Sequence, residues 1–232
     1  MRKFVSDTLD ESRSSEFLRD FQAFQEHAAF FGYLNSLSQL TLKMTSPGVP
    51  DLYQGCELWD FNLVDPDNRR PIDFDSRRRI LQQLKSGVAD STEGLQRLLL
   101  KLETGAVKMY VLWRALLFRQ SHHQLFQEGI YLPLNATGEK AQHIVAFARQ
   151  LGKQFVITVA PRLVAGLCNK AKVLPLAEKI WGDTVLRLND KIPASGFRNV
   201  LTGETMAGSK KDLRLSEILA NFPVAILDGS HQ

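Results

Sequence analysis

Several of the features that announce a function at sight are missing from this sequence. Of its 232 residues only Cys56 and Cys168 are cysteines, far apart and outside any Cys-x-x-Cys pair. Neither a disulfide framework nor a thiolate metal site is indicated, and the reducing cytoplasm is the expected compartment. No apolar run reaches the length of a membrane span, and the polar turn at Ser6 leaves no hydrophobic core for a secretory leader, so no membrane partner is expected. Charge of one sign is scarce too. The net charge of +4 comes from 29 basic and 25 acidic residues, interspersed rather than run together. That is too even for a nucleic-acid surface, and nucleic acid is not an expected partner. Repeats and low-complexity tracts are absent. A complete (β/α)8 barrel, about 250 residues, would leave no room for anything else in a chain this short.

What is present is a globular composition, 44% hydrophobic and 23% charged, sufficient for a sizeable core. Phe17, Leu18, Phe21, Phe24, Ala28 and Phe31 recur at spacings of three and four, which predicts an amphipathic helix capped by Ser14 or Ser15. Gly32 should break it. Leu34, Leu37, Leu40 and Met44 predict a second helix ending at Ser46-Pro47-Gly48. Residues 49–55 read as one short strand, and residues 56–71 as a long turn-rich loop. Helical spacing returns over 75–85, 94–102 and 106–118, the last apolar on most sides and therefore buried. From Gly129 onward the pattern becomes short strands at 130–134, 143–149, 155–160, 184–188, 198–201, 213–215 and 224–227, with Pro175 to Ile180 as a small helix or an excursion. The expected class is α+β: helices and one strand, then an antiparallel β domain of sandwich type.

Between Asp51 and Asp75 the chain concentrates Glu57, Asp60, Asp65, Asp67 and Asp73 with Arg69, Arg70, Asn68, Tyr53, Trp59 and Phe61. Carboxylates, amides and guanidinium groups satisfy sugar hydroxyls, and aromatic rings cover the apolar side of a pyranose. Asp, Asn and Pro are equally the residues of tight, capped turns. Both interpretations stand on composition.

The run Thr45-Ser-Pro-Gly-Val-Pro-Asp-Leu-Tyr-Gln-Gly-Cys-Glu-Leu-Trp-Asp-Phe-Asn-Leu-Val-Asp-Pro-Asp-Asn-Arg-Arg-Pro-Ile-Asp-Phe74 resembles the signature of the maltooligosyl trehalose synthases, members of the α-amylase superfamily. Gly48 to Glu57 is similar to the stretch that forms the eighth barrel strand, and Asp65 to Arg69 to the element in its loop. Residues 28–43 resemble the preceding helix, and 114–126 the family's Arg-x-x-His-x-x-Leu-Phe helix. Trp181-Gly182-Asp183-Thr184 and Leu201-Thr202-Gly203 resemble landmarks of its C-terminal β domain.

The resemblance implies that residues 1–90 are the end of a catalytic barrel, 91–128 a helical connector and 129–232 the C-terminal β domain. It implies an isomerase that rearranges the reducing-end α-1,4 bond of a maltooligosaccharide to an α,α-1,1 bond by retaining chemistry. The family's catalytic carboxylates come from earlier barrel strands and have no matching positions here. No catalytic residue is therefore assigned, and the chain alone is expected to be inert. Tyr53, Gln54 and Glu57 at the strand end, with Asp65, Asn68, Arg69 and Arg70 in the loop, are the implied substrate contacts. For the two arginines an ion-pair network with Asp65, Asp67 or Asp73 is as good a role as sugar binding. Trp59 and Phe61 are expected to pack beneath the loop. Expected partners are an α-1,4-glucan and either the missing barrel portion or a second copy. No cofactor is implied, and His122 and His123 are taken as complements to a helix dipole rather than as metal ligands. The alternatives are another hydrolase or transglycosylase of the superfamily, or a non-catalytic carbohydrate-binding or interaction module. The scattered positions of Tyr131, Phe147, Phe155, Trp181, Phe197 and Phe222 offer such a module no evident stacking platform.

Overall fold

The computed structural model describes residues 1–62, 64, 69–88, 91–190, 192, 196–206 and 212–229. Helices come first: α1 (Arg2–Thr8), α2 (Glu11–Thr45), α3 (Phe74–Gln83), α4 (Thr92–Leu100), α5 (Ala106–Ser121) and α6 (His123–Glu128). Strands β1 (Ile130–Thr137), β2 (Ile144–Leu151) and β3 (Gln154–Pro161) follow. Short helices α7 (Val164–Leu167) and α8 (Ala177–Trp181) lead to β4 (Val185–Arg187), β5 (Phe197–Asn199), β6 (Thr205–Met206) and β7 (Asp212–Arg214). Helix α9 (Leu215–Ile218) and β8 (Ala225–Asp228) end the described elements.

Two expectations about the opening helices are corrected. The cap is Asp10, whose carboxylate accepts from Ser12 N–H at 2.9 Å, whereas Ser14 sits at a kink (φ −129°, ψ 31°) and donates its hydroxyl to Asp7 O. Gly32 does not end the helix, because α2 runs through it for 35 residues. A helical glycine costs about 1 kcal/mol relative to alanine. Burial of Phe31, Leu34, Leu37, Leu40 and Met44 around it outweighs that. The helix stops as expected at Ser46, which is extended ahead of Pro47.

The strand expected over residues 49–55 is also corrected. Residues 49–53 have no regular structure and residues 54–57 form a turn, and among the described residues no strand pairs with them. A strand exists through its ladder, and among the described residues this segment has no neighbour to form one.

The sheet is antiparallel throughout, in the order β6-β5-β8-β3-β2-β1-β4-β7. It curls at β1, whose first part pairs with β2 (Ile130↔Gln150 to Leu134↔Ala146) and whose last part pairs with β4 (Asn135↔Arg187 to Thr137↔Val185). The turn after β1 requires glycine. Gly138 has φ +110°, and a Cβ there would meet Thr184 Cα at 2.7 Å. Every expected strand of the second half is present, and β6 is an addition. Strands β2 and β3 are buried along most of their length because α2 packs against β3. Their sequences are accordingly apolar runs rather than strict alternations.

One hydrophobic cluster joins the helices to the sheet. At the join, Arg149 of β2 is 1% exposed. Its guanidinium donates to Gly129 O at 2.7 Å, to Phe126 O at 3.0 Å and to Thr45 O at 3.5 Å. Arg119 of α5 donates beside it to Met44 O at 2.8 Å and to Gly48 O at 3.1 Å. Its guanidinium carbon lies 4.6 Å from the centre of the Phe126 ring. The two cations therefore cap the carbonyl ends of α2 and α6.

Trp181, fully buried, donates its indole N–H to Pro175 O at 2.9 Å. The residues after it dock the β1 turn: Thr184 Oγ1 accepts from Lys140 N–H at 3.1 Å, and Leu215 N–H returns to Thr184 O at 3.0 Å.

Candidate functional site

The segment between α2 and α3 contains the residues proposed from sequence. Its first turn depends on Gly55, with φ +91° and a Cβ position 3.0 Å from Ile72 Cδ1. Tyr53 is 65% exposed, and Gln54 beside it is exposed. Glu57 has a different environment. Its carboxylate accepts from Arg77 Nε at 2.9 Å, and Arg77 Nη2 also donates to Gly55 O at 2.9 Å. Arg77 is held on α3, whose first turn is capped by Asp73 accepting from Ser76 N–H at 2.8 Å. The guanidinium thus staples the turn that presents Tyr53 and Gln54, and the carboxylate of Glu57 serves that staple. Of the Arg77-Arg78-Arg79 run, Arg77 is half-buried, whereas Arg78 and Arg79 are exposed.

Below the turn, Trp59 stacks on Tyr33 of α2 with centroids 4.7 Å apart and donates its indole N–H to Leu102 O at 2.5 Å. Lys108 of α5 donates to Leu58 O at 2.8 Å and lies 5.7 Å from the Trp59 ring centre. Trp59 therefore packs beneath the loop as expected, whereas Phe61 remains 75% exposed. Arg69 and Arg70 are exposed, and both are engaged. Asp65, Asp67 and Asn68 lie outside the described residues.

Sequence reasoning missed Tyr33, Arg77 and Lys108 as parts of this site. They arrive from three helices, and no local pattern marks a side chain that reaches a carbonyl 50 residues away, as Lys108 does. It missed another such pair. His122 Nε2 lies 3.9 Å from a carboxylate oxygen of the buried Asp228. Among the described residues no three His, Cys, Asp or Glu side chains gather as a metal site would need, and no helix is long and apolar enough to cross a membrane.

Burial pushes the Lys108 ammonium below its ordinary value of 10.5, with the Cys56, Glu57 and Asp60 side chains opposing that shift. The folded state then binds this proton less tightly than the unfolded state does. Stability should rise with pH from the lowered pKa up to 10.5, where the gain is complete. In urea titrations between about pH 8 and about pH 10, the parent should gain on Lys108→Met. Parallel curves for the two proteins would refute the assignment.

No family profile matches the chain. It is 35% identical over 193 residues to a protein of Mycobacterium tuberculosis named as a maltooligosyl trehalose synthase, covering 83% of this chain and 20% of that protein. The structure of maltooligosyltrehalose synthase from Arthrobacter ramosus matches 98% of this chain with a TM-score of 0.73 and 34% identity. The chain is related to the maltooligosyl trehalose synthases. A further crystal structure of a maltooligosyl trehalose synthase matches 97% of it at 25% identity and a TM-score of 0.66. The chain spans about a fifth of the length of the curated synthases it matches, and about a quarter of the length of those solved. The helices and the curled antiparallel sheet are thus features shared with part of a synthase.

Proposed function

We propose that this chain is the C-terminal portion of a maltooligosyl trehalose synthase of the α-amylase superfamily, acting in the cytoplasm. The observation that carries the proposal is the 34% identity sustained through 98% of the chain. Residues 1–90 then correspond to the end of the barrel, 91–128 to the connector, and 129–232 to a β domain of sandwich type.

The whole enzyme in this proposal converts the reducing-end α-1,4 bond of a maltooligosaccharide to an α,α-1,1 bond. One carboxylate attacks the anomeric carbon and displaces the terminal glucose, while a second protonates the departing oxygen. The retained glucose then attacks the anomeric carbon of the glycosyl-enzyme through its own anomeric hydroxyl, which breaks the bond to the first carboxylate, and the hydroxyl proton passes to the second carboxylate, so both are regenerated. Both carboxylates belong to the part of the synthase that this chain does not span.

The contribution of these residues is to the rim. Tyr53 and Gln54, exposed on a turn stapled by Arg77 and Glu57, contact the glucan, and Asp65, Asn68, Arg69 and Arg70 are its further contacts. The stapled turn limits the entropy lost when sugar is ordered against it.

Loss of reducing ends from maltohexaose tests the proposal in two proteins. One is this chain; the other is a chimera in which it replaces the matching part of the Arthrobacter ramosus synthase. The chain alone should be folded and inert, and the chimera should form a non-reducing product. Activity of the chain alone would place the carboxylates within it and refute the proposal. So would a folded chimera that releases glucose and shorter reducing sugars, which would identify a hydrolase.

A further inference from the structure

Tyr33 belongs to two places at once. Its ring stacks on Trp59 beneath the loop, 4.7 Å between centroids, and its side chain also lines a cleft of about 470 Å³. That volume lies within the range of about 300–1,000 Å³ typical of small-molecule sites. Glu26, Phe30 and Tyr33 follow at intervals of four and three along α2, which puts them on one helix face. Glu103, in the turn after α4, and Lys172, between α7 and α8, line the same cleft. The lining is thus gathered from three stretches well separated in sequence.

Its chemistry is of two kinds. Phe30 and Tyr33 are half-buried and supply aromatic surface, whereas Gln25, Glu26, Glu103 and Lys172 are exposed and bring an amide, two carboxylates and an ammonium. Lys172 Nζ lies 3.7 Å from Glu26 Oε2, with both side chains about half exposed. An ion pair this long and this open adds little stability, so ligand hydroxyls can replace it at small cost. The charges narrow the choice of ligand. Two carboxylates against one ammonium disfavour an anion, an organic cation would meet Lys172, and a wholly apolar ligand would strip water from three charges without replacing it. A neutral polyhydroxylated ligand with an apolar face suits both kinds of lining. Its hydroxyls bond the carboxylates, amide and ammonium, and its C–H groups lie against the aromatic side chains.

We infer that this cleft is a second glucan-binding site, separate from the Tyr53–Gln54 rim, and that it holds a stretch of α-1,4-glucan. The choice of α-1,4-glucan among polyhydroxylated ligands rests on the proposed function. Tyr33 is held by Trp59, whose indole N–H is bonded to Leu102 O at 2.5 Å, so one wall is in place before sugar arrives.

Calorimetric titration of this chain with maltohexaose tests the inference without requiring catalysis, and binding is expected at millimolar sugar or below. Glu103→Ala and Lys172→Ala alter exposed side chains, so the fold should be unaffected, and each should weaken binding at least about fivefold. Ala29→Trp, which fills the cleft with an indole, should abolish it. No binding at millimolar sugar would overturn the inference. So would affinity that is lost in Tyr53→Ala and kept in the three cleft variants, which would put the sugar at the rim. Cellohexaose, the β-1,4 counterpart of equal length, should bind at least about tenfold more weakly, and equal affinity would overturn the assignment of an α-1,4-glucan. Cleft binding together with a folded but inert chimera would support the inference while refuting the assigned reaction; an active chimera without cleft binding would do the reverse.

Discussion

Replacing Arg149 by alanine should destabilise the protein by about 3–5 kcal/mol, the sum expected when a buried charged donor is removed and its carbonyl partners lose their bonds. For a chain of this size the melting temperature should fall by about 6–20 °C. The cost is high because the guanidinium is satisfied by Gly129, Phe126 and Thr45 carbonyls. Among the described residues it is paired with no carboxylate. Burial, and then the neighbouring Arg119, pushes its pKa down from the ordinary arginine range. Helix-end carbonyls compensate with their partial negative charge. Arg149→Met tests the same point at similar volume: filling the space without donors leaves the carbonyls bare, so it should recover little. Arg149→Lys should recover part, since an ammonium has three donors but not the planar fork. Urea unfolding of the three variants decides it. An alanine variant within about 1 kcal/mol of the parent would show that water replaces the guanidinium, and the account would fail.

The second large effect is expected at Trp181. Trp181→Ala should cost about 3–5 kcal/mol through the cavity it leaves. Trp181→Phe keeps most of the ring and loses the bond to Pro175 O, so it should cost about 1–3 kcal/mol. The tryptophan is the anchor behind Thr184, which accepts from Lys140 N–H and is met by the Leu215 N–H. Loosening it should therefore also expose the amides of Lys140 and Leu215. Hydrogen exchange at these two residues gives the discriminating readout. If the alanine variant is destabilised and their protection relative to the rest of the sheet is unchanged, the anchoring role is wrong.

Much of the sheet was legible in the sequence because its strands are punctuated by Gly, Pro and Asn and leave short β-rich runs. Thr205–Met206 escaped because a two-residue strand has no period to detect. Gly32 misled because a local penalty of about 1 kcal/mol is small beside the tertiary burial of the surrounding leucines. Residues 49–55 misled for the opposite reason: their composition suits a strand, but pairing is not a local property. At the candidate site Tyr53 and Gln54 are exposed. The use of Glu57 by Arg77 was invisible, because nothing in a helix sequence says which of three consecutive arginines turns inward. The Trp181 landmark was noted as a resemblance, and its buried indole supplies the physical reason for a tryptophan there.

The sheet closes on very short elements. Its outermost members are β6, with two residues, and β7, with three. Short edges present few free backbone donors and acceptors to a foreign strand. Templated growth of the kind that builds fibrils has little purchase there. Several exposed apolar side chains are instead helical, Phe4 on α1 and Phe17, Phe21 and Phe24 on the first half of α2. Crowding should therefore favour reversible clusters held by these phenylalanine side chains rather than by backbone pairing.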